Sequence, residues 1–279
     1  MKLLHHQYGK ARVRVMKVTR EKTRHSLKEL DVSIRLQGDF NASYARSDNR
    51  LVVATDTMKN TVNVFAKETL GAENEEFALA LAGHFLKSYP QVSRVEVRLS
   101  EHSWERMKIH GRPHPHSFAE RGSSRPFALV TCTKSDRLVE SGIEDLLILK
   151  TTGSGFEGYV KDRWTTLAET SDRILATRLK ATWTYQRQPR RYSRTNESIL
   201  EAMLAVFADE YSPSVQATLF QMGSAALKVA PEISRISLVM PNQHCLPVHL
   251  APFGLENRNE LFVPTDEPHG QIEGTVSRD

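Results

Sequence analysis

Only two cysteines, Cys132 and Cys245, occur in the 279 residues. That is too few for a disulfide framework and makes a reducing compartment the default expectation. No apolar run approaches the roughly 20 residues that a membrane-spanning helix needs, so no helical membrane anchor is expected. The opening Met1-Lys2-Leu3-Leu4-His5-His6-Gln7 contains no secretory apolar core. Neither a phosphate loop nor the glycine fingerprint of a dinucleotide site occurs.

Charge of one sign is only mildly in excess. Lys and Arg number 38 against 33 Asp and Glu, a net charge of +5. The densest basic cluster, Arg187, Arg190, Arg191 and Arg194, sits in a Gln-, Pro-, Ser- and Tyr-containing stretch. It reads as a solvated loop, and no basic stripe interleaved with aromatics marks a nucleic-acid surface. A mildly positive surface favours encounter with a small anion.

With 39% hydrophobic residues, the chain has ordinary globular composition. It suits one large domain or two of about 140 residues. An internal repeat supports two. Leu86, Lys87, Pro90, Val92, Ser93, Arg94, Val95, Val97 and Leu99 match Leu227, Lys228, Pro231, Ile233, Ser234, Arg235, Ile236, Leu238 and Met240 at a constant offset of 141 residues. Each copy reads as a helix end, a proline turn and an alternating strand, and a constant offset near half the length argues duplication.

Other elements follow from periodicity. Val13 and Val15 alternate within Ala11–Val18, and Leu30, Val32, Ile34 and Leu36 alternate with polar residues, which predicts an antiparallel hairpin with one covered face. Met58, Val62, Phe65 and Ala66 recur at helical spacing, as do Phe77, Leu81, His84 and Phe85. In the second half, strands are expected at 127–133, 146–150, 179–185, 235–240 and 246–250. Helices are expected near 165–176, 198–211 and 214–228. Strands with helices segregated to one face make an α+β fold in two copies. The expected domains are residues 1–136 and 137–279, with a boundary at or just after Gly122-Ser123-Ser124-Arg125-Pro126.

One corner carries chemistry. Leu51 to Ala54 reads as the end of a buried strand, and Thr55-Asp56 are residue types that satisfy free N–H groups where a helix begins. Such a corner can hold a small planar or anionic ligand against backbone amides, although an ordinary helix cap fits the two residues alone.

Val53-Ala54-Thr55-Asp56-Thr57-Met58-Lys59-Asn60-Thr61-Val62 as a whole resembles the signature of the uricases (urate oxidases). Four further stretches resemble family motifs in the same order: Tyr8-Gly9-Lys10; Arg112-Pro113-His114-Pro115-His116-Ser117-Phe118; Gly155-Phe156-Glu157-Gly158 with Thr165-Thr166-Leu167 and Asp172-Arg173; and Ser214-Val215-Gln216-Ala217-Thr218 with Pro241-Asn242-Gln243-His244. The resemblance runs nearly end to end and is weakest over residues 186–197.

The resemblance implies the tunnelling fold (T-fold): two tandem antiparallel-sheet repeats with helices on one face, assembling into a homotetrameric barrel with active sites at subunit interfaces. It implies oxidation of urate by dioxygen and water to 5-hydroxyisourate and hydrogen peroxide, with no cofactor and no metal. Lys10, Thr55 and His244 would be the catalytic, proton-handling set. Thr55, Asp56, Phe156, Leu167, Arg173, Val215, Gln216 and Asn242 would bind substrate. One protomer would supply Lys10, Thr55 and Asp56, and its partner the rest. Peroxisomal members commonly end in a Ser-Lys-Leu-type address. This chain ends Ser277-Arg278-Asp279, so a cytoplasmic location is the expectation.

The chemistry of these residue types fits those roles. A desolvated lysine has a lowered pKa and can act as a base for a threonine hydroxyl. Imidazole titrates near neutrality and can close a proton relay. Arg173 offers a planar donor fork and Gln216 one donor and one acceptor, a match for a purine edge. Phe156 can stack on a ring face. Seen singly, each of these residues fits a surface, turn or core position better. His110, His114 and His116 lack a Cys or carboxylate at ligand spacing, and Pro113 and Pro115 suggest a rigid loop, so no metal site is expected. Cys245 beside His244 would point to the opposite face of an extended chain, which argues against a nucleophile pair.

Overall fold

The computed structural model describes residues 3–120 and 122–278. They form two compact units, Met1–Gly142 with Thr184–Arg194, and Ile143–Trp183 with Thr195–Asp279. The architecture is α+β with largely antiparallel pairing.

The first unit opens with β1 (Tyr8–Arg20) and β2 (His25–Gly38), the hairpin expected from alternation. Helices α1 (Asn41–Arg46), α2 (Thr55–Thr69) and α3 (Asn74–Ser88) follow, then β3 (Val92–Glu101), β4 (Trp104–Ile109), β5 (Arg112–Glu120) and β6 (Arg125–Thr133). The sheet runs β1-β2-β3-β6. Cross-strand rows such as Ile34–Val97–Val130 and Val32–Leu99–Ala128 make its buried face. Helix α2 covers β1, and α3 covers β3 and β6. They bury Met58, Val62 and Ala66 from α2, and Phe77, Ala78, Leu81, Ala82 and Phe85 from α3. Burying each large side chain contributes about 1.5–3 kcal/mol.

Strand β7 (Arg137–Lys150), strand β8 (Leu175–Tyr185) and helix α4 (Tyr192–Asp209) contribute residues to both units. The second unit adds α5 (Val215–Val229), β9 (Ile233–Val239), β10 (Asn242–Pro247), a 3₁₀ turn at Ala251–Phe253, β11 (Phe262–Gly270) and β12 (Glu273–Ser277). Its strands run β7-β8-β10-β11, with β9 paired to β8 and β12 to β9. Helix α5 packs on β9 and β12. The repeat is visible in three dimensions. Helix α3 and helix α5 are both 15 residues long, and β3 begins as far after α3 as β9 does after α5.

Three local expectations fail for identifiable reasons. Arg112–Glu120 is a strand of a two-stranded ribbon, not a rigid loop. Pro113 pairs with Lys108, and Pro115 falls where the register of this two-stranded ribbon shifts, places where a strand tolerates proline. The helix expected near 165–176 is absent. Side chains there bond nearby backbone instead: Asp162 accepts from Trp164 N (2.8 Å), and Glu169 from Gly158 N (3.1 Å). Such bonds compete with helical ones. Leu51–Ala54 is an extended connection, not a strand.

Candidate active site

The expected site residues form two groups, one in each unit. In the first unit, β1 and β2 pair Tyr8 with Leu36 and Lys10 with Ile34, then Val13 with Val32 and Val15 with Leu30. The register slips by one residue between Lys10 and Val13. Arg12 takes the slack in the left-handed region, φ 53°, and its N–H donates to Ser33 Oγ at 3.0 Å. In an unbroken strand, residues three apart lie on opposite faces. The bulge re-phases β1, so Lys10 shares the face of Ile34, Val13 and Val15, on which the helices pack. Gly9 permits the close approach required there, since a Cβ would lie 1.8 Å from the Ile34 carbonyl oxygen.

Tyr8 lies two residues before Lys10 and fixes the far side of this cleft. Its hydroxyl donates to Val53 O (3.1 Å) and accepts from Val53 N (2.8 Å). Its ring meets Phe40 edge-on at 4.8 Å. Burial pushes its hydroxyl pKa up, which keeps it protonated. Two residues after Val53, Thr55 begins α2. The cap is Ala54, with no side-chain hydrogen bond, so Thr55 and Asp56 do not cap the helix as their types suggested. Asp56 accepts from Lys59 and from Asn60 Nδ2 (3.1 Å). Lys59 chiefly, then Asn60 and the charge of Lys10, hold its carboxyl below the usual range. Lys10 thus stands within electrostatic reach of a helix N-terminus that no side chain caps, where the helix dipole favours negative charge. Lys10 and Thr55 are half-buried, and Asp56 is exposed.

In the second unit, residues 151–174 are held by short pairings. Ser154 bridges Ser212, and Phe156 bridges Thr170. Arg173 N donates to Ser154 O (2.7 Å), and Gly155 N donates to Ser212 O (2.8 Å). The Asp172 carboxylate takes the Thr152 hydroxyl (2.9 Å) and Gly153 N (2.8 Å); these bonds lower its pKa. Gly155 leaves room for Tyr211, whose hydroxyl would lie 2.2 Å from an added Cβ. These ties bring Arg173 over the Phe156 ring, 5.3 Å from its centroid. The other ring contact is Tyr159, stacked at 4.8 Å and 9°, whose hydroxyl donates to Leu167 O (2.5 Å). Burial pulls the Arg173 guanidinium below its ordinary pKa, and its Nε is buried without a hydrogen-bond partner. An unpaired buried donor on a cation is costly, and a ligand acceptor would satisfy it.

The Ser154–Ser212 bridge sets the start of α5 beside this loop. Ser214 caps it, accepting from Ala217 N at 3.1 Å. Val215 is buried, and Gln216 is exposed. Asn242 pairs with Thr177 of β8 and Gly270 of β11, and His244 pairs with Thr265. Both are half-buried. Among the described residues, no hydrogen bond or ring contact joins His244 to Arg173 or Phe156. Cys245 follows His244 along β10, and both cysteines are free.

His114 and His116 rings meet at 4.6 Å, and His25 lies 5.9 Å from His116. Among the described residues no group of three or more His, Cys, Asp or Glu is arranged to hold a metal ion. No helix there is long and apolar enough to cross a membrane. In the basic loop, Arg191 pairs with Glu73 at 3.4 Å, and Glu73 also accepts from Ser193 N and Oγ. Tyr8, Tyr159 and Tyr211 shape the two groups without having been singled out in the sequence. Tyr8 opens one of the family motifs, and Tyr159 and Tyr211 lie between them, which was the available signal.

The uricase family model matches residues 6–131 and 139–273. The uricase of Arthrobacter globiformis is 40% identical over 273 residues, covering 98% of this chain and 89% of that protein. That of Dictyostelium discoideum is 39% identical over 279 residues, covering 99% and 97%. The crystal structure of uricase from Arthrobacter globiformis superposes with a TM-score of 0.94, covering 100% of this chain and 96% of that one. Urate oxidase from Bacillus sp. TB-90, at 22% identity and TM-score 0.86, shares the fold. With its sequence matched at both ends and its fold superposing throughout, the chain belongs to the uricase family of oxidoreductases.

Proposed function

We propose that this chain oxidises urate with dioxygen and water to 5-hydroxyisourate and hydrogen peroxide, without a cofactor. The observation that carries this reading is the buried, unpartnered Arg173 Nε beside the Phe156 ring. A planar ring with anionic oxygens on its edge can pack against that phenyl ring while its oxygens accept from the guanidinium. Gln216 would read the same edge, with main-chain N–H groups at Val215, Leu167 and Asp56 completing the grip.

Lys10, Thr55 and His244 move protons in this reading. Lys10 takes a proton through the Thr55 hydroxyl, which can donate and accept. Urate so deprotonated supplies two electrons to dioxygen. Two protons join them to give hydrogen peroxide, and the oxygen of a water held by Thr55 and Asn242 adds to the ring. The protein's part is to orient, deprotonate and desolvate.

Lys10, Thr55 and Asp56 would come from one protomer and Phe156, Leu167, Arg173, Val215, Gln216, Asn242 and His244 from its partner, in a homotetramer of T-fold subunits. Residues 1–136 and 137–279 would be the two copies of the duplicated unit. Two free cysteines suit a reducing cytoplasm. The test is loss of the urate absorbance band in air-saturated buffer containing a chelator, with peroxide assayed in parallel. No urate loss from folded, assembled protein would refute the reading. An active monomer on a sizing column would refute the shared site.

A further inference from the structure

We propose that Tyr8 is a positioning residue for the Lys10–Thr55 pair, setting the gap between strand β1 and the start of α2 through its double hydrogen bond to Val53. The inference rests on the proton-handling role given above to Lys10 and Thr55.

The geometry that supports it lies within one unit. Tyr8 and Lys10 are two residues apart on β1, ahead of the bulge, and their partners Leu36 and Ile34 are both buried on the helix-facing side. Val53 and Thr55 are likewise two apart, one on each side of Ala54. The Tyr8 hydroxyl therefore ties β1, two residues before Lys10, to the residue two before Thr55. It engages both polar groups of one peptide residue, donating to the carbonyl and accepting from the N–H. A single bond would leave the segment free to pivot, whereas two opposed bonds fix its distance and orientation.

Neither end of the tie is free to drift. Phe40, 1% exposed, backs the Tyr8 ring, and Val53, 4% exposed, is seated in the core. Gly9 between Tyr8 and Lys10 is locked against the Ile34 carbonyl. By contrast, the connection 51–54 has no strand pairing, and α2 has no side-chain cap to fix its first turn. The Leu51 carbonyl accepts from Gln91 Nε2 (2.7 Å) at the start of the connection, and Tyr8 supplies the tie at its end, next to Thr55. Proton transfer between side chains needs hydrogen-bond reach, and misplacement by about 1 Å costs on the order of 100-fold in rate.

The test is Tyr8→Phe in the full-length assembled enzyme, which keeps the ring and its contact with Phe40. Urate binding and site stoichiometry are measured anaerobically, and turnover and its pH profile after oxygen is admitted, with Lys10→Met alongside. The expected result is an unchanged number of urate sites, a KM within about twofold, a kcat lowered about 10- to 100-fold, and a displaced acidic limb of the kcat profile. Full kcat in Tyr8→Phe with Lys10→Met inactive would overturn the positioning role and leave the base assignment standing. Loss of sites in proportion to kcat would make Tyr8 an ordinary structural residue and also overturn it. Full activity of Lys10→Met would instead remove the reading on which the inference rests.

Discussion

Glu75 and Gln216 occupy the same place in the two repeats, each the second residue of a 15-residue helix. Their surroundings differ. Glu75 is 2% exposed and accepts the Ser141 hydroxyl, whereas Gln216 is exposed. One copy has enclosed the position within its own core, and the other leaves it open to solvent. Glu75→Ala should therefore cost about 1–3 kcal/mol of stability in urea unfolding, with KM for urate unchanged. Gln216→Ala should leave the unfolding midpoint alone and raise KM roughly 2- to 10-fold.

Arg173→Ala removes the guanidinium over Phe156 and should raise KM about 10- to 100-fold, with kcat less affected, in steady-state urate kinetics. Arg173→Lys should rescue little, because a point charge does not reproduce the fork.

Lys10→Met should divide oppositely. Turnover should fall about 100- to 10,000-fold while anaerobic urate binding persists, because the loss is of proton transfer.

Acid should loosen the loop of residues 151–174 late. The Thr152 hydroxyl and the N–H of Gly153 hold the Asp172 carboxyl below 3.8. A depressed carboxylate pKa adds stability that is complete above the unfolded value and fades as pH falls through the folded one. The loop should keep its ties at pH 4 and release them on further acidification. Trp164, 75% exposed in the same loop, reports this by fluorescence, and in Asp172→Ala the spectral change should be absent.

Alkali should act through Tyr192. Burial, with the charge of Glu75, pushes its hydroxyl up to about 12 from 10.0. The unfolded chain then releases this proton first, so stability falls as pH rises from about 10 to 12. Tyr192→Phe should flatten that decline in alkaline unfolding curves.

Much of this was legible in the sequence. The alternation Leu30–Val32–Ile34–Leu36 specified β2 and its buried face, and the spacing of Met58, Val62 and Ala66 specified α2. The identities of Lys10, Arg173 and Gln216 were carried by motif resemblance, and their neighbours were not. Nothing in the spelling Gly9-Lys10-Ala11-Arg12-Val13 announces a bulge, because arginine rarely takes positive φ. Strand β11, with Pro264 and Pro268, lacks the usual strand composition and went unread. Residues 165–174 contain helix formers, but carboxylates and hydroxyls there captured the backbone first.

The phase of β1 also governs which changes of chain length the hairpin can absorb. An insertion in the turn at residues 21–24 lengthens a solvated loop and leaves every pairing upstream intact. Deleting one residue between Lys10 and Val13 would restore an unbroken ladder and leave Lys10 opposite Ile34 on the helix-facing side, whereas straightening the bulge at unchanged length would turn Lys10 out. For alignment and library design, a gap placed at Arg12 thus exchanges the bulge for an unbroken ladder, while one placed in the turn at residues 21–24 alters only the loop.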